Sequence, residues 1–218
     1  MIWRILPHAS VCIASDRLFL LDIRRDRYFQ VPEAVAPEMR TWLGSADAAV
    51  PEPVNRVLTA NDIRRKDDPA PTNASRETVR IPTGLLSPTW MTSGAPAKVG
   101  SVLLALCMTK LQLRTRSFAS VLCDHLHASP ARAGEKDSCL DERCATFARS
   151  RIYSPLRRNC LLDTLSLDRW LGDDARECRI VFGVTAHPFS AHCWLQSPYA
   201  VLNDSYDHAS RHTPILAL

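Results

Sequence analysis

The chain has 218 residues, of which 46% are hydrophobic, enough to build a real core in one large domain or two small ones. Its net charge of +4 is too weak to argue for nucleic acid and suits an acidic peptide partner, and no apolar run reaches the roughly 18 residues that cross a bilayer. Eight scattered cysteines without a secretory signal ahead of them are expected to be reduced thiols in the cytoplasm rather than a disulfide framework.

Residues 10–31 read as a small meander, with strands Val11–Ala14, Arg17–Ile23 and Arg27–Val31 and turns at Ser15-Asp16 and Arg24–Asp26. The middle strand is apolar on both faces, which predicts a central position. Three helices are expected after it: Glu33–Leu43, starting late because of Pro37, then Ala46–Val50, and Val54–Arg65. Three strands with three helices predict a winged helix-turn-helix-like domain. Such a domain has a DNA-binding reading, and the stretch Val54–Lys66 carries Arg56, Arg64, Arg65 and Lys66.

Lys66–Thr83 is charged and rich in Pro, Asn and Ser, and reads as a linker. From Ala97 to Leu126 the apolar residues recur at three and four, predicting two packing helices. His125-Leu126-His127 reads as a polar helix end, Ala128–Lys136 as a loop, and Ser138–Arg149 as a helix with Leu140, Cys144 and Phe147 inward. The spacing Cys139-x4-Cys144 is not that of a zinc knuckle, so no metal is expected. Arg151–Arg158 shows no second oxyanion donor. Arg157 and Arg158 suit an acidic peptide or solvent.

Cys160 opens a leucine-rich helical pattern with Asn159 as its N-cap and Gly172 as its stop. Apolar residues lie on more than one face, so this helix should be buried. His192 follows 32 residues later (192 − 160) and Asp204 another 12 (204 − 192). Between them Arg179–Val184 and Ala191–Leu195 read as strands, with His192 and Trp194 on one face, and Ala200–Asp204 as a third short run. The chemistry explains why these residue types matter together. Only a thiolate attacks, and a helix N-terminus and an imidazole both lower a thiol's pKa. The carboxylate orients the imidazole. The order nucleophile, base, orienter is what a cysteine hydrolase or acyltransferase needs.

The run of Cys160, Leu161, Thr164 and Leu165, then Gly183 and Val184, then Pro188, Phe189, Ala191, His192 and Trp194, then Asn203 and Asp204, resembles the lasso peptide B proteins, transglutaminase-like leader peptidases of bacterial peptide biosynthesis. The likeness covers roughly the last third of the chain strongly. Cys193 and Gln196 depart from it without touching the three chemical residues. The resemblance implies an α+β chain: a winged helix-turn-helix-like leader-recognition domain over 1–75, a linker over 76–84, and a transglutaminase/papain-like cysteine peptidase domain over 85–218. It implies Cys160, His192 and Asp204 as catalytic residues. It also implies that the leader adds a strand beside Arg27–Val31, where Tyr28, Phe29 and Val31 lie, against a helical wall at Val57, Leu58 and Ile63. The expected partners are a precursor peptide and an asparagine-synthetase-like macrolactam synthetase, with no nucleic acid and no membrane. No cofactor is expected: some relatives need ATP, but no G-x-x-x-x-G-K-(S/T) loop occurs here. Two other readings stay open. One is a transglutaminase or acyltransferase with the same Cys-His-Asp set; the other is a non-enzymatic peptide- or DNA-binding regulator.

Overall fold

The computed structural model describes residues 1–45, 48–84, 98–125 and 138–218, apart from the side chains of Ser138 and Cys139. The expected loop Ala128–Lys136 and the first two residues of the expected helix Ala46–Val50 lie outside the described residues. The chain divides into two units. One comprises Met1–Val79, Gly183–Ala191 and His212–Leu216; the other comprises Arg80–Phe182, His192–Arg211 and Ala217–Leu218.

The first unit is built on an antiparallel sheet of β1 (Ile2–Leu6), β2 (Ala9–Ala14), β3 (Arg17–Asp22) and β4 (Arg27–Gln30), completed by β5 (Arg76–Glu77). Its order is β4-β3-β2-β1-β5. Leu18 and Leu20 point into a core shared with Trp3, Met39, Trp42, Val54 and Leu58. On the other face Phe19 stacks on Phe189 at 5.6 Å. Apolar residues on both faces thus place β3 inside the sheet, as expected. The turn residues Ser15 and Asp16 both have positive φ, which suits a tight hairpin connection.

Helix α1 runs Ala36–Gly44 and α2 runs Glu52–Ala60, each with a proline in its first turn, where a missing N–H costs nothing. Ala48–Val50 is not helical, so the second of the three expected helices is absent from the described part. Helix α2 starts earlier and stops sooner than Val54–Arg65. Asp62 takes a positive φ, and His8 and Arg24 both bond to the Ile63 carbonyl, at 2.9 and 2.6 Å. Of the four basic residues in the presumed DNA-reading helix, only Arg56 is helical. The polar stretch after it is also tied down. Thr72 N–H donates to Ile5 at 3.0 Å, Arg4 N–H to Ser75 at 2.9 Å, and buried Asn73 donates to the Trp42 and Ser45 carbonyls. Low apolar content therefore did not mean a loose linker over Thr72–Glu77.

In the second unit α3 (Val99–Thr115) and α4 (Phe118–Asp124) match the expected helix pair, and α5 runs Ser138–Arg151. Helix α6 (Cys160–Leu171) packs against α3 and α5, and Gly172 ends it at φ +58°, the left-handed stop that glycine tolerates. His125 is not a solvated helix end. It is 4% exposed, and Nδ1 lies 2.5 Å from Asp168 of α6. Strands β6 (Arg179–Ala186), β7 (Phe189–Gln196) and β8 (Thr213–Ala217), whose residues are divided between the two units, form a second sheet in the order β7-β6-β8. Short helix α7 (Tyr206–Ala209) precedes β8. Among the described residues no helix is long and apolar enough to cross a membrane.

Candidate active site

Asn159 caps α6 by accepting the Leu162 N–H at 3.1 Å, so Cys160 occupies the first helical position, half-buried at the positive end of the helix dipole. The loop before it is fixed by a residue whose role the sequence did not reveal. Arg151 is 3% exposed. Its guanidinium donates to Asp163 of α6 at 2.7 Å and to the carbonyls of Leu156 and Arg157 at 2.9 and 3.2 Å. One cation thereby ties the end of α5, the loop and the first turn of α6 together. Arg151→Ala should cost about 3 kcal/mol of stability, because it strands Asp163 and two carbonyls. Urea denaturation measures it, and a loss below about 1 kcal/mol would refute this role.

His192 comes from β7 and Asp204 from the loop that follows. That loop is not the third strand expected. Among the described residues Ala200–Asp204 makes isolated bridges, at Ala200 to Gly84 and at Val201 to Gln196. Beyond Leu202, whose N–H donates to Leu195 at 2.8 Å, a side chain replaces backbone pairing. Asn203 Oδ1 accepts the Leu195 N–H at 2.8 Å, and Asn203 Nδ2 donates to Thr164 Oγ1 at 2.7 Å. The Thr164 hydroxyl in turn donates to the Cys193 carbonyl at 3.0 Å. Thr164 lies one turn after Cys160, Cys193 beside His192, and Asn203 beside Asp204. This network therefore fixes α6, β7 and the loop at the three places where the chemistry-bearing side chains leave the backbone.

The result is a series of thiol, imidazole and carboxylate. His192 Nε2 lies 2.5 Å from Asp204 Oδ2, leaving Nδ1 for the Cys160 thiol that it also meets. Hydrogen bonding to His192 pulls the Cys160 thiol below its ordinary value, against burial, helped by the N–H groups of Cys193 and Leu161. Burial pushes His192 down, but its bonds to Asp204 and Cys160 prevail and hold it up at about 9. Burial likewise raises Asp204, yet His192, His208 and the Ser205 N–H together keep it below the usual carboxylate range. The contrast within the chain is sharp: burial pushes Cys12 and Cys178 up to about 12. Among the described residues no disulfide forms. Lowering the thiol and raising the imidazole both favour a thiolate–imidazolium pair, which can attack a carbonyl and then protonate a leaving group.

The strand alternation is as expected at His192 and Trp194, whose rings stack at 5.9 Å. Gln196, on the same face, accepts the Trp194 indole N–H at 2.9 Å and donates to the Arg80 carbonyl at 2.9 Å. Beside Asp204 opens a cavity of about 340 Å³, floored by Cys144, Phe147, Leu167 and Val201 and edged by Arg158 and Asp204.

Of the residues expected to contact a leader, Val31, Leu58 and Ile63 are 2%, 0% and 0% exposed. They pack into the core of the first unit, so they are removed from any surface a peptide could reach. Tyr28, Phe29 and Val57 are partly exposed. Phe29 leans on the core, while the Tyr28 ring lies 6.1 Å from Phe189 on the opposite face. One further residue escaped notice. His208 Nδ1 lies 2.6 Å from the same Asp204 oxygen that His192 uses. Its signal was an acid and a histidine four apart around Ser205, which caps α7 by accepting the His208 N–H at 3.2 Å. Ring nitrogens of His192 and His208 and a carboxylate oxygen of Asp204 all lie within 4.8 Å of one another.

No curated protein and no solved structure gives a significant match to the chain. A family model described as "Transglutaminase-like superfamily" matches residues 103–217, which is 115 of the 218 residues (217 − 103 + 1). That span contains α6, the three strands after it and the loop of Asp204. With more than half of its length matched, and the match laid over Cys160, His192 and Asp204, the chain belongs to the transglutaminase-like superfamily.

Proposed function

We propose that the chain is a cysteine endopeptidase that removes the leader of a lasso-type precursor peptide. The observation that carries the chemistry is the 2.5 Å contact of His192 with Asp204, behind a thiol at a helix N-terminus. In this reading Cys160 attacks the carbonyl at the leader–core junction. His192 takes the thiol proton and returns one to the leaving amine, and Asp204 holds the imidazole in place. Water then releases the leader as an acid.

Residues 1–75 serve as the winged helix-turn-helix-like recognition domain, with β4 taking up the leader. Among the described residues β4 lies at one end of the sheet order β4-β3-β2-β1-β5, next to β3. Val31 N–H donates inward to Leu18 at 2.9 Å, so alternation turns Gln30 outward, toward an incoming strand. Strand addition draws affinity from the backbone and register from alternate side chains. Recognition and cleavage on one chain raise the precursor's effective concentration at the thiol. A separate macrolactam synthetase would take the freed core, in the cytoplasm and with no cofactor on this chain.

The test uses this chain and a synthetic lasso-type precursor peptide with its leader attached. Mass spectrometry should show one cut, yielding an unmodified leader acid and a free core amine. An intact precursor in the presence of a reactive Cys160 thiol would overturn the reading. The superfamily match also supports acyl transfer. An added primary amine that ends up as an amide on the leader would assign that chemistry instead.

A further inference from the structure

We propose that His192, Asp204 and His208 form a binding site for a zinc-class divalent cation, and that filling it arrests the Cys160 chemistry. A thiol–imidazole–carboxylate series needs one imidazole. Here two imidazole nitrogens converge on a single carboxylate oxygen, at 2.5 and 2.6 Å, with the rings 4.5 Å apart. Two nitrogens and one carboxylate oxygen are a donor set that zinc accepts, with a fourth position left for water.

The backbone builds the set from two directions. Asp204 and His208 are four apart, and Ser205 caps the turn between them, which brings their side chains onto one face. His192 enters from β7. Donor atoms in a tetrahedral zinc site stand roughly 3.3 Å apart, so the ion would spread each nitrogen from the oxygen by about 0.8 Å. His208 can supply that movement, because its side chain is 50% exposed.

The proton balance gives the consequence. Zinc at Nε2 of His192 displaces that nitrogen's proton to solvent, and zinc at Nδ1 of His208 leaves that ring's proton on Nε2. Asp204 turns from orienting His192 to holding the ion. His192 then carries its one remaining proton on Nδ1, with Nε2 occupied by the ion in place of the contact to Asp204. It therefore cannot both take the thiol proton and supply the leaving amine. Cys160 is not a ligand in this arrangement, since Nε2 faces Asp204 and the thiol is left the other ring nitrogen.

Metal binding is tested apart from the peptidase reading, by calorimetric titration of Zn²⁺ into full-length, chelator-treated protein. The Cys160→Ala protein should bind zinc with its affinity unchanged within about threefold. Adding His208→Ala to it should weaken this binding at least 10- to 100-fold, as should His208→Phe, which keeps a ring in place. Adding His187→Ala, at an exposed histidine that is not one of the three donors, should change nothing. Circular dichroism checks that each variant is folded. Loss of the site in Cys160→Ala would place zinc on the thiol and overturn the proposal. Zinc binding of undiminished affinity in both His208 variants would overturn it as well.

Discussion

On the proposed peptidase reading, Cys160→Ala should abolish peptide cleavage, by at least about 10⁴-fold in kcat, while affinity for the precursor should stay within a few-fold. The size follows from removing the nucleophile of a concerted unit, where losing one member costs nearly as much as losing all of them. The small effect on binding follows from geometry. Cys160 lies at the start of α6 and contributes its sulfur, while its helix is secured by Asn159, Thr164 and the Arg151–Asp163 pair, none of which the substitution touches. Cys178→Ala is the matching control, since burial pushes that thiol up to about 12 and keeps it protonated. Cleavage by purified Cys160→Ala above one part in a hundred of the wild-type rate would end the case for a thiol mechanism.

His192→Ala should match Cys160→Ala in lost turnover, and its alkylation behaviour should tell the two apart. In the wild type the hydrogen bond to His192 lowers the Cys160 thiol, so iodoacetamide should label it at lower pH than an ordinary thiol. Without His192 the thiol returns toward its reference pKa near 8.5, and at pH 6.5 only about 1% is thiolate. Higher intrinsic nucleophilicity offsets part of that loss, so labelling at pH 6.5 should slow by about 10- to 100-fold. The wild-type pH profiles should also separate. Alkylation needs only the thiolate, and stays on its plateau as pH rises. Turnover also needs the imidazolium proton, and falls as pH passes through about 9. The linked stability has the same sign. His192 has its pKa raised on folding, so its contribution is complete below the unfolded value near 6.5 and is lost as pH rises through about 9. Turnover that is flat to pH 10 would refute the ion pair.

The chemical residues were legible because their types and order carry the chemistry. Asn159, Cys160 and Gly172 could be placed on a helix, and His192 and Trp194 on one strand face, from local pattern alone. The supports were not legible, since each depends on a partner far away in sequence. Arg151 reads as an ordinary surface cation until Asp163 and two carbonyls surround it. Asn203 reads as a strand residue until it is seen reaching Thr164, 39 positions earlier (203 − 164). In the first unit, Leu58 and Ile63 were apolar and correctly placed near a helix, but periodicity does not say whether an apolar face meets core or ligand. Burial in the core decided that. Arg76–Glu77 was missed because a two-residue edge strand leaves no alternation to detect; it forms because β1 offers it a partner.

The clamp through Thr164 and Asn203 also sets when this thiol becomes dangerous. On a ribosome Cys160 emerges first, and Asp204 is added 44 residues later (204 − 160), an interval of about 2 to 9 s at ordinary rates of synthesis. Throughout it the growing chain holds neither the acid nor the amide that orders β7 against α6. Its cysteine is then a plain, mostly protonated thiol among crowded nascent peptides. Reactivity switches on only when the last part of the domain folds back, so the same bonds that aim the side chains act as a birth timer for the nucleophile.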